Sequence, residues 1–288
     1  MASTRQLKGR IRSVKNTKQI TKAMQMVAAS KMRRAQDATK ATSEYTRTAN
    51  EILAYLASQG ATKQHPLFQT REVKGRLIIV VAADKGLAGA YNANIMKAYI
   101  QALREDDTNT IRNETIAVGR KASQFVTRLK DTEVCGTYTD LPDEPEGAEF
   151  YAILNTAIAM FEETKVDAVD IIYTKFVSSM TQVATVERIL PAGFTKAKVT
   201  EFVRDATYEP STEVVLEGVV RRLVGAEIYQ ALLDARASEH SMRMLAMKNA
   251  TDNASELVDD LTLEMNKARQ AAITQELAEI SGGAEAMK

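Results

Sequence analysis

The chain has 288 residues, 45% of them hydrophobic and 26% charged, with a formal net charge of +1. These are globular proportions that exclude extended disorder, and the richest apolar run, Leu77–Ala83, falls far short of the roughly 18 residues a membrane-spanning helix needs. One cysteine, Cys135, excludes an internal disulfide, points to a reducing compartment and reads as a small buried apolar side chain.

All five prolines, Pro66, Pro142, Pro145, Pro191 and Pro210, lie in the middle, leaving proline-free ends rich in strong helix formers. The first helix is predicted over residues 2–59, ending before Gly60. Its opening is wholly cationic, with Arg5, Lys8, Arg10, Arg12, Lys15, Lys18, Lys22, Lys31, Arg33 and Arg34 all preceding the first acid, Asp37. Charge alone leaves several readings open: a nucleic-acid arm, a cleaved organelle-targeting helix, a helix facing acidic protein, or a solvated basic face. Leu7, Ile11 and Val14 form a stripe at helical spacing. In Ile20–Ala29, by contrast, Ile20, Ala23, Met24, Met26, Val27, Ala28 and Ala29 spread around almost the whole helix. Such a collar needs cover on all sides, from its own core or from other subunits. Its methionines serve either as gap fillers between paired helices or as an adaptable sliding surface.

From Arg76 the pattern changes. The β-branched run Arg76–Ala83 predicts a strand, followed by a Gly-rich turn and a helix over Ala93–Arg104; Thr115–Val118 leads into Lys121–Leu129, and Ala148–Thr164 into the strand Val169–Phe176. Strands alternating with helices predict a parallel sheet covered on both faces, a Rossmann-like α/β unit. Gln182–Leu190 follows a short connection and is predicted as an antiparallel edge. Thr139–Glu149, with Pro142, Pro145 and Gly147, reads as an exposed loop.

The C-terminal helix is predicted over residues 211–281, about 106 Å long at 1.5 Å per residue, with Gly282-Gly283 as its stop signal. Its stripe of Leu257, Leu261 and Met265, then Ile273, Leu277 and Ile280, predicts a long antiparallel coiled coil with the N-terminal helix. If the two helices leave the middle level with each other, paired positions sum to about 270 and the last ~13 residues, about 20 Å, project without a partner. The organisation is an N-terminal shaft helix (1–60), an α/β domain (61–210) and a C-terminal shaft helix (211–288).

The search for an active site is empty. Gly86 and Gly89 in the turn Ala83–Asn92 match neither phosphate-binding loop pattern, and no acid ends the next strand to hold a ribose. Tight packing between strand and helix accounts for those glycines. His65 and His240 have no metal-ligand neighbour at helical spacing, so they read as surface or packing residues. No catalytic, cofactor or metal residue is predicted. The runner-up readings are a coiled-coil nucleic-acid binder using the basic arm and a nucleotide-binding enzyme using the Gly86–Asn92 turn.

Four blocks, Ile20–Met32, Asp84–Asn92, Ala237–Asn253 and Ala268–Ala284, together closely resemble the gamma-subunit family of F-type ATP synthases, and the resemblance spans the chain. It implies a rotor shaft whose paired terminal helices stand inside a ring of three alpha and three beta subunits. It also implies a middle domain near epsilon and the c ring, with rotation driven by proton flow changing the catalytic beta sites. Nucleotide and Mg belong to the alpha and beta partners; this chain binds no cofactor, no nucleic acid and does not span the membrane. The resemblance assigns partner contact to Ile20, Met24 and Val27 in the first block, Arg243 in the third, and Arg269, Gln270, Thr274 and Glu276 in the last. Arg243 and Arg269 suit directional bonds to a carboxylate; the alternative is a pair within the shaft, such as Glu264 with Arg269 or Lys267. Two positions depart from the family: Met265 stands where relatives often have Tyr, and lone Cys135 lacks the cysteine pair of redox-regulated chloroplast members. Because the family blocks begin within the first twenty residues, the basic end is not expected to be a removed targeting peptide. The cytoplasmic face of a bacterial membrane is expected.

Overall fold

The computed structural model describes residues 4–58, 60, 62, 65–129, 132–143, 147–193, 209 and 211–286. In chain order the elements are α1 (Thr4–Ser58), a 3₁₀ turn (Pro66–Phe68), β1 (Gly75–Val81), α2 (Tyr91–Thr108), β2 (Arg112–Val118), α3 (Arg120–Val126), β3 (Glu133–Tyr138), α4 (Ala148–Glu162), β4 (Ala168–Phe176), β5 (Gln182–Leu190) and α5 (Thr212–Ala286). They divide into two units: residues up to 28 with those from 243 onward, and residues 29–242.

The larger unit is built on a five-stranded sheet of order β3-β2-β1-β4-β5. β1 pairs parallel with β2 and β4, β2 parallel with β3, and β4 antiparallel with β5, so the predicted parallel sheet with an antiparallel edge is present. β1 is apolar from Leu77 to Val81 because both its faces are covered. Leu77, Ile79 and Val81 pack with Leu53 and Leu56 of α1, Ile153 and Phe161 of α4, and Leu223 and Ile228 of α5. Ile78 and Val80 face Ile95 and Tyr99 of α2 and Val126 of α3. Burying side chains of this kind contributes about 1.5–3 kcal/mol each. The one acid inside β4, Asp170, is 2% exposed and is held by Arg188, opposite it on β5, and by Arg76 Nε at 3.1 Å.

Three expectations fail here. Strand β3 was not predicted; its burial alternates between exposed and half-buried, so it lacks the continuous apolar run that marks its neighbours. Cys135 sits on that edge strand and is exposed rather than buried. Its sulfur lies against β2, donating to the Thr115 carbonyl at 3.3 Å, and this partial burial, with Glu114 nearby, pushes the thiol up to about 11. In the Ala83–Asn92 turn, Gly86 is not there for close packing either. A Cβ on Gly86 would meet open space, and Gly89 instead adopts the left-handed φ of 56°, a conformation costly for other residues. The glycine that does pack closely is Gly119, after β2, where an added Cβ would lie 2.0 Å from the Ala82 carbonyl oxygen.

Both histidines are buried packing residues of this unit. His65 Nδ1 accepts from the Leu67 amide, so its Nε2 carries the proton it offers to Glu217 at 2.8 Å; His240 lies 3.7 Å from Asp143. On α5, burial and then the charge of Glu187 push Glu227 up to about 8 from an ordinary 4.5. The folded state therefore holds this proton longer than the unfolded chain, and stability falls as pH rises from about 4.5 to about 8. Glu227→Gln should raise the melting temperature markedly at pH 9, by about 2 kcal/mol in stability, and barely at pH 5. Equal shifts at both pH values would mean that Glu227 is ionised in the fold.

The smaller unit is a pair of antiparallel helical segments. Leu7 and Ile11 pack against Leu261, with Val14, Val258 and Met265 alongside, and Thr251 donates to Thr21 at 2.8 Å. These contacts give pairing sums of 268 to 272, within a turn of the expected 270. Met265 fills the seam. Gly282-Gly283 does not stop α5, which continues to Ala286; a glycine costs a helix about 1 kcal/mol but does not forbid it. With Cys135→Ser, a cysteine at Met24 should crosslink best at Met247 or Lys248 in a scan of 242–250. A cysteine at Leu277 should be captured nowhere in 4–28; a maximum at Met244, or capture of Leu277, would contradict this register.

Candidate functional site

The helix pair sorts the collar residues into two sides. Thr21 and Ala28 are buried and Met24 is half-buried, whereas Ile20, Met26 and Val27 remain 60%, 59% and 58% exposed. α5 covers one side only, so the apolar circumference is not satisfied within the chain. On the open side Ile20 and Val27, seven residues apart, lie nearly in line two turns apart, and Met26 is turned about 100° from Val27, so the exposed apolar surface wraps around the helix. Met26 belongs with Ile20 and Val27, although it was not among the contact residues expected from the sequence; its exposure is what marks it.

Further along, Arg243 is half-buried and Arg269, Gln270, Thr274 and Glu276 are exposed. Thr274 spends its hydroxyl on the Gln270 carbonyl at 2.9 Å, a bond back along its own helix. Every described side chain from Arg269 to Ile280 is exposed, including Ile273 at 50%, Leu277 at 60% and Ile280 at 69%. The tip projecting beyond α1, expected from helix lengths, is therefore present. Among the described residues no ion pair joins Glu264 to Arg269 or Lys267. Of the ten early cations only Lys31 ion-pairs among the described residues, with Asp143 at 2.9 Å.

Collar and tip thus form two exposed apolar patches on an otherwise charged helix pair. Among the described residues no group of three His, Cys, Asp or Glu is placed to hold a metal, and no helix is long and apolar enough to cross a membrane.

The ATP synthase family profile matches residues 3–287, and the ATP synthase gamma chain of Moorella thermoacetica is 43% identical over the full length of both chains. The chain belongs to the ATP synthase gamma-chain family. The gamma chain of Stenotrophomonas maltophilia is similar at 39% identity, again over both whole chains. Among solved structures, a chain of the Euglena gracilis mitochondrial ATP synthase matches with a TM-score of 0.69 at 20% identity, covering 99% of this chain and 94% of that one. A chain of the Tetrahymena thermophila mitochondrial central stalk and c ring matches with a TM-score of 0.60 at 23% identity, covering 80% and 99%. At these identities the structural likeness is one of fold. As a gamma chain the protein is the central-stalk rotor of an F-type ATP synthase, in which the catalytic sites lie on the beta subunits. That membership decides against the nucleic-acid and nucleotide-enzyme readings.

Proposed function

We propose that the gamma chain turns rotation of a c ring into conformational change at the beta subunits through the exposed collar and tip. In this reading Ile20, Met24, Val27, Arg243, Arg269, Gln270, Thr274 and Glu276 meet a ring of three alpha and three beta subunits, while residues 61–210 form the domain facing epsilon and the c ring. Residues 1–60 and 211–288 are the shaft. The observation that supports this most is the collar, whose apolar side chains would be costly to expose around a helix that had no sleeve. A sleeve also explains the basic helix: exposed cations along a rotating shaft meet acidic protein without the directional pairs that would lock one angle. The complex sits on the cytoplasmic face of a bacterial membrane, and nucleotide and Mg bind to alpha and beta rather than to this chain.

Two measurements test the reading. The chain should copurify with alpha and beta subunits, and failure to do so when all are coexpressed would contradict it. By calorimetry the isolated chain should bind neither ATP nor NAD. A micromolar dissociation constant, about −8 kcal/mol, would instead restore the nucleotide-enzyme reading.

A further inference from the structure

In open α/β sheets of this strand order, ligands bind outside the carboxyl ends of the strands where the order reverses, here between β1 and β4. In this chain α5 occupies that place. Tyr91, just beyond β1, donates its hydroxyl to the Ala235 carbonyl at 3.2 Å. Ser238 donates to the carbonyl of Thr174 in β4 at 2.9 Å. On the β1–β2 side of this helix, the space left beside Val81, Ala82, Val118 and Leu141 is about 10 Å³, room for one water molecule at most. The crevice that would take a nucleotide in a relative of this fold is filled by the chain's own helix.

The way it is filled is unusual for a helix packed on a sheet. Ser238, Glu239, His240 and Ser241 are all 5% exposed or less, a buried polar run where an apolar face would pack at lower cost. Together with Arg236, two residues before the run, they reach three separate backbone segments. Arg236 donates to the Leu141 carbonyl at 2.8 Å, Ser238 to Thr174, and Ser241 to the Ser179 carbonyl at 2.9 Å while accepting from Gln182 at 3.1 Å. Arg236 is itself braced by Glu239 at 3.2 Å and Asp84 at 3.5 Å. Asp84 in turn accepts from the Arg120 and Asp140 amides at 2.9 and 3.0 Å. Apolar ridges can slip past one another by a rotamer change, whereas hydrogen bonds to three fixed carbonyls set both the rotation and the axial position of the helix.

We propose that Arg236, Ser238 and Ser241 form a torque clamp: the rotor's sheet unit grips its shaft helix through the crevice that the fold otherwise uses for ligands. The proposal rests on the rotor reading and adds where, within the rotor, rotation passes from sheet to shaft. The three are positioning residues; none touches a reacting atom.

The test uses the whole ATP synthase in inverted vesicles. Ser238→Ala/Ser241→Ala removes two bonds with little volume change, and Arg236→Met removes the third, with Arg236→Lys as the conservative variant. ATP hydrolysis by the detached alpha–beta–gamma complex should stay within about twofold of the unmodified protein, because a shaft turning without load does not need the grip. Protons pumped per ATP by the whole complex should fall about fivefold in the serine pair and in Arg236→Met, with Arg236→Lys between. An unchanged ratio, a parallel fall of hydrolysis and pumping, or failure of the serine pair to assemble would each overturn the clamp and leave these bonds as ordinary packing. Val27→Asp, which lies outside the clamp, separates this from the rotor reading: if it too has no effect on pumping, the rotor reading itself fails.

Discussion

Gly119→Ala should unfold the sheet unit or leave it close to unfolding, a loss of about 4 kcal/mol or more. Gly119 sits between β2 and α3 with φ 91° and ψ 144°, a conformation that other residues adopt only under strain. The methyl of alanine would also fall 2.0 Å from the Ala82 carbonyl oxygen, inside any possible contact. Relaxation is blocked on both sides. The Gly119 amide donates to Tyr138 O at 2.7 Å and the Lys121 amide to Ala83 O at 3.0 Å, so moving this turn breaks bonds to the ends of β1 and β3 together. Urea unfolding followed by circular dichroism measures the effect. A midpoint shift equivalent to less than about 1 kcal/mol would mean the turn is not pinned as described. Gly86→Ala, by comparison, meets open space and should be nearly silent.

Val27→Asp should act in the opposite way, leaving the fold alone and disabling the machine. Val27 is 58% exposed, and substitutions at such sites usually change stability by about 0.5 kcal/mol or less, apart from the modest helix penalty of aspartate. Inside a close-fitting ring the same carboxylate would lose its water without gaining a partner, at a cost of several kcal/mol. The expected result is an unchanged thermal transition of the isolated chain together with lost assembly or strongly reduced ATP-driven proton pumping. A large drop in the transition, with assembly intact, would show that Val27 is ordinary core.

These two residues mark what the sequence could and could not disclose. The terminal helices follow from where proline is absent, and β1, β2 and β4 from β-branched runs, because a strand covered on both faces is mostly apolar; β5 followed from its short connection to β4. β3 was hidden for the converse reason: Glu133, Val134, Cys135, Gly136, Thr137 and Tyr138 lie at an edge and need no such run. The collar was legible because Ile20, Met26 and Val27 cannot all face one neighbour. The helix register was legible to within a turn from the helix ends, and Leu7 and Ile11 on either side of Leu261 set it by packing. The importance of Gly119 over Gly86 and Gly89 was not legible at all, since it depends on β1 and β3 arriving at one turn. Nor was the clamp, since Ser238 and Ser241 read as ordinary polar helix residues until β4 and its following turn are placed against them.

The central claim is that this chain rotates within its partners, and direct observation of rotation tests it most directly. A variant with Cys135→Ser and Lys97→Cys, the latter exposed on α2, can carry a bead while the alpha–beta ring is fixed to a surface. On addition of ATP the bead should turn continuously in one direction and stop when ATP is exhausted. A stationary bead on complexes that hydrolyse ATP at the full rate would contradict the account.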